Sequence, residues 1–204
     1  LQYAFDYEWS NKQFAYGAYK RTDSYFENSD LASTGLPSQC EIQLLEPYRD
    51  QLPAEVFTQT YTNPTTDGSG NNRANLRKAI EILENAGYKL GPDKIRVNEK
   101  TGTRLSFEIM HRQPEFERWV LPMIRNLKRI GIEARFYVTK DTSQFVERMN
   151  NFDFDMTVGG APQSLSPGNE QIEYWHSSRA DQPGSRNYIG IADPVVDALV
   201  GKVV

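Results

Sequence analysis

The chain has 204 residues, of which 38% are hydrophobic, enough for one core at roughly 100 to 200 residues per domain. No apolar run approaches the roughly 18 residues that span a bilayer, which excludes a membrane-spanning helix. The balance of 23 Lys and Arg against 27 Asp and Glu provides no basic surface for nucleic acid. A single Cys with only two His residues supports neither an internal disulfide nor a zinc site.

The first segment of the chain predicts a helix followed by irregular structure. Apolar residues four positions apart predict helix within residues 1–17, with Asp6 or Ser10 as a cap and Gly17 as the stop. Residues 18–35 are polar and show no sustained period, so we predict loop or irregular strand there.

The next segment contains a short helix, a loop and the clearest helix of the chain. Pro37 and Ser38 predict the start of the short helix, and the turn-forming residues of 63–72 predict a surface loop. Apolar residues recur at spacings of three and four over 76–86, with Asn72 or Asn75 as the cap. This pattern predicts an amphipathic helix.

The middle of the chain predicts a hairpin-like unit followed by a strand–helix–strand unit. Alternating apolar residues predict strands over 95–97 and 105–109, joined by a polar turn. A helix predicted over 114–131, kinked at Pro122, leads to a strand over 132–138. The second strand of the hairpin and this strand should be parallel, with a right-handed crossover.

The last third predicts a helix, a strand, a long loop and a final helix. The helix is expected over 142–150 and the strand over 152–158, so the fold class is α/β. The glycine- and proline-bearing loop 159–169 leaves the carboxyl end of that strand, where ligands bind in open α/β sheets. Asp193 and Pro194 predict the start of a helix that reaches the last residue.

A search for catalytic and metal-binding motifs finds none of the common signatures. The chain lacks a G-x-S-x-G elbow, an H-E-x-x-H helix and a P-loop. His111 and His176 have no nucleophile or carboxylate placed beside them by sequence, and Cys40 is isolated. Loop residues are mostly Gln, Ser and Asn, which exchange hydrogen bonds but transfer protons poorly, so we predict binding without catalysis, cofactor or metal.

Several motifs, in order along the whole chain, resemble one family, the extracellular solute-binding proteins of family 5. They are Leu1–Glu8, with its Ala-Phe-Asp core, Asn75–Tyr88, ending Ala-Gly-Tyr, Leu127–Ile132, Phe152–Met156 and Asp193–Leu199. Three further runs resemble the Yej-type oligopeptide-binding subgroup of this family: Asp67–Arg73, Phe116–Pro122 and Ser164–Glu170.

The resemblance implies one lobe of a two-lobed receptor with a type II periplasmic binding protein fold, in which helices flank a mixed sheet. It implies a periplasmic protein that delivers oligopeptides to the membrane subunits of an ABC importer. Residues 1–204 are then expected to be the C-terminal lobe, cut at both ends, with an N-terminal lobe elsewhere in the same protein. The unfinished helices at the two ends of the chain agree with this expectation.

The resemblance also implies which residues contact a ligand. In the peptide-binding members, the loop after the Phe-Asp strand pairs with the main chain of the ligand, and an aspartate in it takes the peptide amino group. The corresponding contacts are Gly160, Ala161, Gln163 and Ser164. This loop differs from the family pattern, because Pro162 has no N–H and no acid stands where the aspartate is expected; Glu170 is the nearest substitute.

Two further ligand contacts are hypotheses without a motif, and three other functions stay open. Asn187 is assigned to a polar group of the ligand, and Arg21 to a carboxylate. The alternatives are a sugar or metal chelate bound by the same fold, a hydrolase using His111 or His176, and an interaction domain without a pocket.

Overall fold

The computed structural model describes residues 1–204, which form two compact units. The first unit comprises Leu1–Arg21, Asn63–Arg148 and Asp153–Gly159, and the second comprises Thr22–Thr62, Met149–Phe152 and Gly160–Val204. No helix of the chain combines the length and the apolar character that crossing a membrane requires.

Eight helices and five strands make up the regular structure, with short 3-10 turns between several of them. The helices are α1 (Tyr7–Phe14), α2 (Gln39–Leu45), α3 (Glu55–Thr58), α4 (Arg73–Asn85), α5 (Glu117–Arg129), α6 (Thr142–Asn150), α7 (Glu170–Trp175) and α8 (Pro194–Val203). The strands are β1 (Tyr88–Leu90), β2 (Arg96–Asn98), β3 (Ser106–His111), β4 (Glu133–Val138) and β5 (Met156–Thr157). The predicted α/β class is confirmed.

The first unit is built on a three-stranded parallel sheet in the order β4-β3-β5. β3 and β4 run parallel with α5 between them in the chain, which confirms the predicted strand–helix–strand unit. The helix continues through Pro122. Side chains from α4, α5 and the first turn of the chain form the core beside this sheet; its buried members are Ala4, Leu76, Ala79, Met123, Leu127, Ile130 and Ile132.

The predicted hairpin between residues 95–97 and 105–109 forms only next to its turn, where Gly102 N donates to the Asn98 carbonyl at 2.9 Å. β2 pairs antiparallel with β1 along its whole length. With the following segment it makes one bridge, between Val97 and Arg104, flanked by hydrogen bonds from Asn98 N to the Thr103 carbonyl at 2.9 Å and from Leu105 N to the Arg96 carbonyl at 2.8 Å. The reason is topological: β3 is the central strand of its sheet, so β4 and β5 occupy both of its edges.

A buried arginine fastens the β1–β2 hairpin to the end of α5. Arg96 is 4% exposed, and its Nε donates to the Ile130 carbonyl at 2.7 Å. Its Nη1 donates to the Tyr88 carbonyl at 2.8 Å. Gly131 follows directly with a φ of +84°, a left-handed conformation that favours glycine and lets the chain turn from the helix into β4.

Capping residues define several helix starts. Asp6 caps α1 by accepting from Trp9 N at 3.2 Å, which confirms one of the two predicted caps. Ser38 and Glu41 form a capping box at α2. Asn72 lies at the N-cap of α4 as predicted, but its side chain donates to the Tyr3 carbonyl and does not cap the helix.

The second unit contains little regular structure. Its buried apolar residues, Tyr174, Ala180, Val195 and Val200, come from α7, α8 and the turn between them. Asp193 caps α8 by accepting from Val195 N at 2.7 Å and from Val196 N at 3.2 Å, as the Asp-Pro pair predicts. Residues 22–62, which carry α2 and α3, include no buried residue. α7 was not predicted from the sequence.

Candidate functional site

The loop after β5 leaves its backbone donors unpaired. No backbone–backbone hydrogen bond joins the N–H groups of Gly160, Ala161, Gln163 or Ser164 to the rest of the chain. A Cβ added at Gly160 would meet no atom within 4 Å, so the backbone there is open to close approach. This segment can therefore donate hydrogen bonds to an extended main chain laid beside it.

The same loop is anchored to α7 through side chains. Gln171, which is 5% exposed, donates from Nε2 to Gln163 Oε1 at 2.7 Å and accepts from Trp175 Nε1 at 2.9 Å. Tyr174 donates from its hydroxyl to the Pro162 carbonyl at 3.3 Å. These bonds hold the loop residues beside one face of a helix.

One donor in this network has no partner. The Nε2 of Gln163 is buried and makes no hydrogen bond, although the Oε1 of the same amide is paired with Gln171. An unsatisfied buried amide donor costs about 1–3 kcal/mol. A ligand carbonyl reaching this atom would remove that cost.

A cavity of about 380 Å³ lies in the second unit, lined by Thr22, Asp23, Ser24, Tyr25 and Tyr61. The Tyr25 ring packs against Trp175 with a centroid separation of 4.7 Å. Because Trp175 is bound to Gln171, one wall of the cavity connects to the α7 network. The sequence did not identify this cavity, since its residues lie in the segment without a periodic pattern.

Asn187, the predicted contact to a polar group of the ligand, lies inside the second unit. The residue is 0% exposed, and its amide is used inside the unit. Its Nδ2 donates to the Ile191 carbonyl at 2.8 Å and to the His176 carbonyl at 3.3 Å, and its Oδ1 accepts from Ile191 N at 2.8 Å. Asn187 therefore holds the loop 187–191 together, and its role toward a ligand stays a prediction.

Arg21 is used to hold a loop of the first unit. Its Nη1 donates to the Pro64 carbonyl at 2.6 Å, and its guanidinium lies 5.4 Å from the centre of the Tyr7 ring. The other predicted contacts belong to the second unit, so the proposed role of Arg21 toward a carboxylate remains a prediction.

Glu170, the acid nearest to the position where the family pattern has an aspartate, lies at the start of α7. Its Oε1 accepts from Gly168 N at 3.0 Å and from Gln171 Nε2 at 3.3 Å. Backbone hydrogen bonds, from Glu170 itself and from Gly168, lower the pKa of its carboxyl below the ordinary value. The carboxylate is charged at neutral pH and is already engaged with the loop backbone.

The two histidines are not arranged as a catalytic base between a hydroxyl and a carboxylate. His176 Nδ1 is 2.9 Å from Ser178 Oγ and 3.8 Å from Asp197 Oδ1, so both neighbours meet the same ring nitrogen. A Ser-His-Asp triad places them on opposite nitrogens. His111 Nδ1 accepts from Gln113 N at 3.0 Å.

Asp197 instead joins α8 to the turn after α7. Its two oxygens accept from Ser177 N at 2.8 Å and from Ser177 Oγ at 2.5 Å. These hydrogen bonds lower the pKa of the Asp197 carboxyl, the one from the Ser177 side chain having the largest effect. No group of three or more His, Cys, Asp or Glu side chains comes together that could hold a metal ion.

A second cavity, of about 420 Å³, lies at the amino ends of β3 and β4 in the first unit, next to Glu108 and Asp155. Glu108 pairs with Arg148 at 3.1 Å and with Arg135 at 3.2 Å, while Asp155 accepts from Glu108 N at 2.8 Å. The charged groups beside this cavity therefore pair with one another, and these pairs join β3 to β4 and to α6.

The chain is similar to known proteins in both sequence and fold. The sequence profile of "Bacterial extracellular solute-binding proteins, family 5 Middle" matches residues 1–183. An uncharacterized protein of Sinorhizobium fredii, y4wM, is 50% identical over 204 residues, which is 100% of this chain and 30% of that protein. The probable peptide-binding protein YejA of Agrobacterium fabrum is 45% identical over 204 residues, 100% of this chain and 33% of that protein.

Among solved structures, the oligopeptide-binding protein AppA from Bacillus subtilis, in complex with a nonapeptide, is similar with a TM-score of 0.65 and 25% sequence identity. The match covers 98% of this chain and 34% of AppA. The chain thus spans about a third of the length of the curated relatives and of this structure.

Proposed function

Since the chain belongs to family 5 of the bacterial extracellular solute-binding proteins, we propose that it forms part of a receptor that binds oligopeptides and releases them unaltered. The α/β fold is that of the type II periplasmic binding proteins. The proposed whole protein is a two-lobed periplasmic receptor that closes on its ligand and delivers it to the membrane subunits of an ABC importer.

The observation that carries this proposal is the row of unpaired backbone donors after β5. Gly160, Ala161, Gln163 and Ser164 would bind the main chain of a peptide as an added strand does. Main-chain contacts do not depend on ligand side chains, so peptides of varied sequence can bind. The name of YejA and the nonapeptide bound to AppA support peptides as the ligand class.

A pair of substitutions at Ala161 tests the backbone contact in the full-length protein. Ala161→Pro removes one N–H donor, whereas Ala161→Ser keeps it and serves as the matched control. We expect Ala161→Pro to weaken binding of the peptide Ala-Lys-Ala about 2- to 12-fold in calorimetry, the value of one hydrogen bond, and Ala161→Ser to leave it unchanged.

Mass spectrometry of the solute that co-purifies with the full-length protein tests the ligand class. Peptides are the expected result. A sugar or a metal chelate as the co-purifying solute, together with no calorimetric binding of Ala-Lys-Ala, would contradict the proposal.

A further inference from the structure

Arg186 lies beside the loop that we assign to the peptide main chain. Its Nη1 donates to the Tyr174 hydroxyl at 3.2 Å, and this hydroxyl donates to the Pro162 carbonyl at 3.3 Å. The guanidinium also lies 5.9 Å from the centre of the Tyr174 ring. All three residues belong to the second unit. Two successive hydrogen bonds therefore connect the guanidinium of Arg186 with the middle of the loop.

The chain on both sides of Arg186 is held in place. Its neighbours Ser185 and Asn187 are 4% and 0% exposed. Ser185 Oγ donates to the Arg179 carbonyl at 2.7 Å, and Asn187 N donates to Ser185 Oγ at 3.3 Å. The side chain of Arg186 is itself exposed, and the Tyr174 ring that it contacts is buried. The guanidinium is thus presented to solvent from an ordered part of the unit, which reduces the entropy that a ligand must remove on binding.

Arg186 is the one arginine of the second unit that has no carboxylate partner. Of the three arginines in this unit, Arg49 pairs with Glu46 at 2.7 Å and Arg179 pairs with Glu173 at 2.8 Å. Arg186 makes no ion pair, and its bond to the Tyr174 hydroxyl uses one of the five N–H donors of a guanidinium. Its charge and its other donors therefore remain for an anion.

The acids closest to Arg186 along the chain and to the loop do not neutralise this charge. Asp181 is exposed and forms no ion pair with Arg186. Glu170 accepts from Gly168 N at 3.0 Å and from Gln171 Nε2 at 3.3 Å. A planar guanidinium without a partner matches a carboxylate, because two parallel N–H groups can donate to its two oxygens.

The position of Arg186 along the loop favours a side chain of the ligand over its terminal groups. Pro162 is the third of the five residues 160–164. A peptide of five residues paired along the loop passes this point with its interior residues, and its α-carboxylate lies toward one end of the row. A carboxylate that meets Arg186 then belongs to an interior Asp or Glu.

We propose that the guanidinium of Arg186 is a subsite for a carboxylate side chain of the bound peptide. The subsite rests on the proposed peptide-binding function and adds to it a preference for acidic interior residues. The two carboxylate oxygens accept from N–H groups of Arg186 that the Tyr174 hydroxyl does not use.

The test is calorimetry on the full-length protein with three pentapeptides. Ala-Glu-Glu-Glu-Ala carries a carboxylate at every interior position, and Ala-Gln-Gln-Gln-Ala has the same shape without these charges. The C-terminal amide of the Glu peptide lacks only the α-carboxylate. The measured quantity is the ratio of the affinities for the Glu peptide and the Gln peptide, because a change in this ratio reports the side-chain carboxylate alone.

One substitution and a matched control assign this ratio to Arg186. In Arg186→Gln the ratio should fall about tenfold, because a charge-assisted pair is lost. In Arg49→Gln, which removes an arginine of the same unit that already pairs with Glu46, the ratio should stay that of the unmutated protein. The amidated Glu peptide should show the same tenfold loss in Arg186→Gln as the free acid.

Three results would overturn the subsite while leaving peptide binding intact. They are an unchanged ratio in Arg186→Gln, an equal weakening of all three peptides by this substitution, which would mean that Arg186 only supports the loop, and a loss of its effect on amidation, which would assign Arg186 to the α-carboxylate. Failure of the unmutated protein to bind any of the pentapeptides or Ala-Lys-Ala would overturn the proposed function as well. Thermal unfolding of each variant separates loss of the subsite from loss of the fold.

Discussion

Gln163 and Gln171 share one hydrogen bond, yet truncating each is expected to have a different consequence. Gln171→Ala removes the acceptor of Trp175 Nε1 and the donor to Gln163 Oε1 inside a residue that is 5% exposed. Together with the longer bond from Gln171 Nε2 to Glu170 Oε1, three hydrogen bonds of about 1 kcal/mol each are lost, which lowers the unfolding free energy by about 2–4 kcal/mol.

Gln163→Ala loses the same shared bond but also removes the buried Nε2, which has no partner. The gain of about 1–3 kcal/mol from removing an unsatisfied donor offsets the lost bond, so stability should change by less than about 1 kcal/mol. We expect a ligand carbonyl to accept a hydrogen bond from this Nε2, so Gln163→Ala should weaken peptide binding about 2- to 12-fold.

Urea unfolding and calorimetry with Ala-Lys-Ala, both on the full-length protein, measure these two quantities. Gln144→Ala, an exposed glutamine in α6, is the control for side-chain truncation. The reasoning fails if Gln163→Ala destabilises the protein as much as Gln171→Ala does, or if it leaves peptide affinity unchanged.

Two further predictions concern stability, measured by urea unfolding for the first and by thermal unfolding for the second. Gly131→Ala should lower the free energy of unfolding by about 2–5 kcal/mol, because φ is +84° and the new Cβ would lie 2.7 Å from Leu90 Cδ1. Gly102→Ala should lower it by only about 1–2 kcal/mol, because φ there is +70° but no atom lies within 4 Å of the new Cβ. Similar losses at the two glycines would contradict the packing argument. The lowered pKa of Asp197 means that its bonds to Ser177 stabilise the fold fully above the ordinary value of 3.8 and are lost as pH falls through the native pKa. The Tm of Asp197→Asn should therefore fall less steeply than that of the unmutated protein below about pH 4, and parallel curves would contradict this.

The local elements of the fold were largely predictable from the sequence. Apolar residues at spacings of three and four identified α4 and α5, and the Asp-Pro pair identified the start of α8. The parallel pairing of β3 and β4 followed from the short connections around α5. Such features depend on residues close together in the chain, where side-chain spacing and capping chemistry act directly.

The arrangement around the site was decided by tertiary contacts. α7 is only six residues long, too short for its apolar spacing to predict a helix. Its Gln171 nevertheless bonds to both Gln163 and Trp175, and Trp175 packs on Tyr25, which lies in a segment without a periodic pattern. The sequence around Asn187 is that of an ordinary polar loop, so it does not predict that this side chain is fully buried.

What the sequence by itself determined was therefore the family, the α/β class and the loop that follows β5, because these depend on local motifs and spacing. What only the tertiary structure decided was the partner of β2, the burial of Asn187 and the cavity at Tyr25. Each of these depends on which distant residues come together to pair a strand edge, accept a hydrogen bond or pack on a ring. The spacing of residues close together in the chain does not predict such contacts.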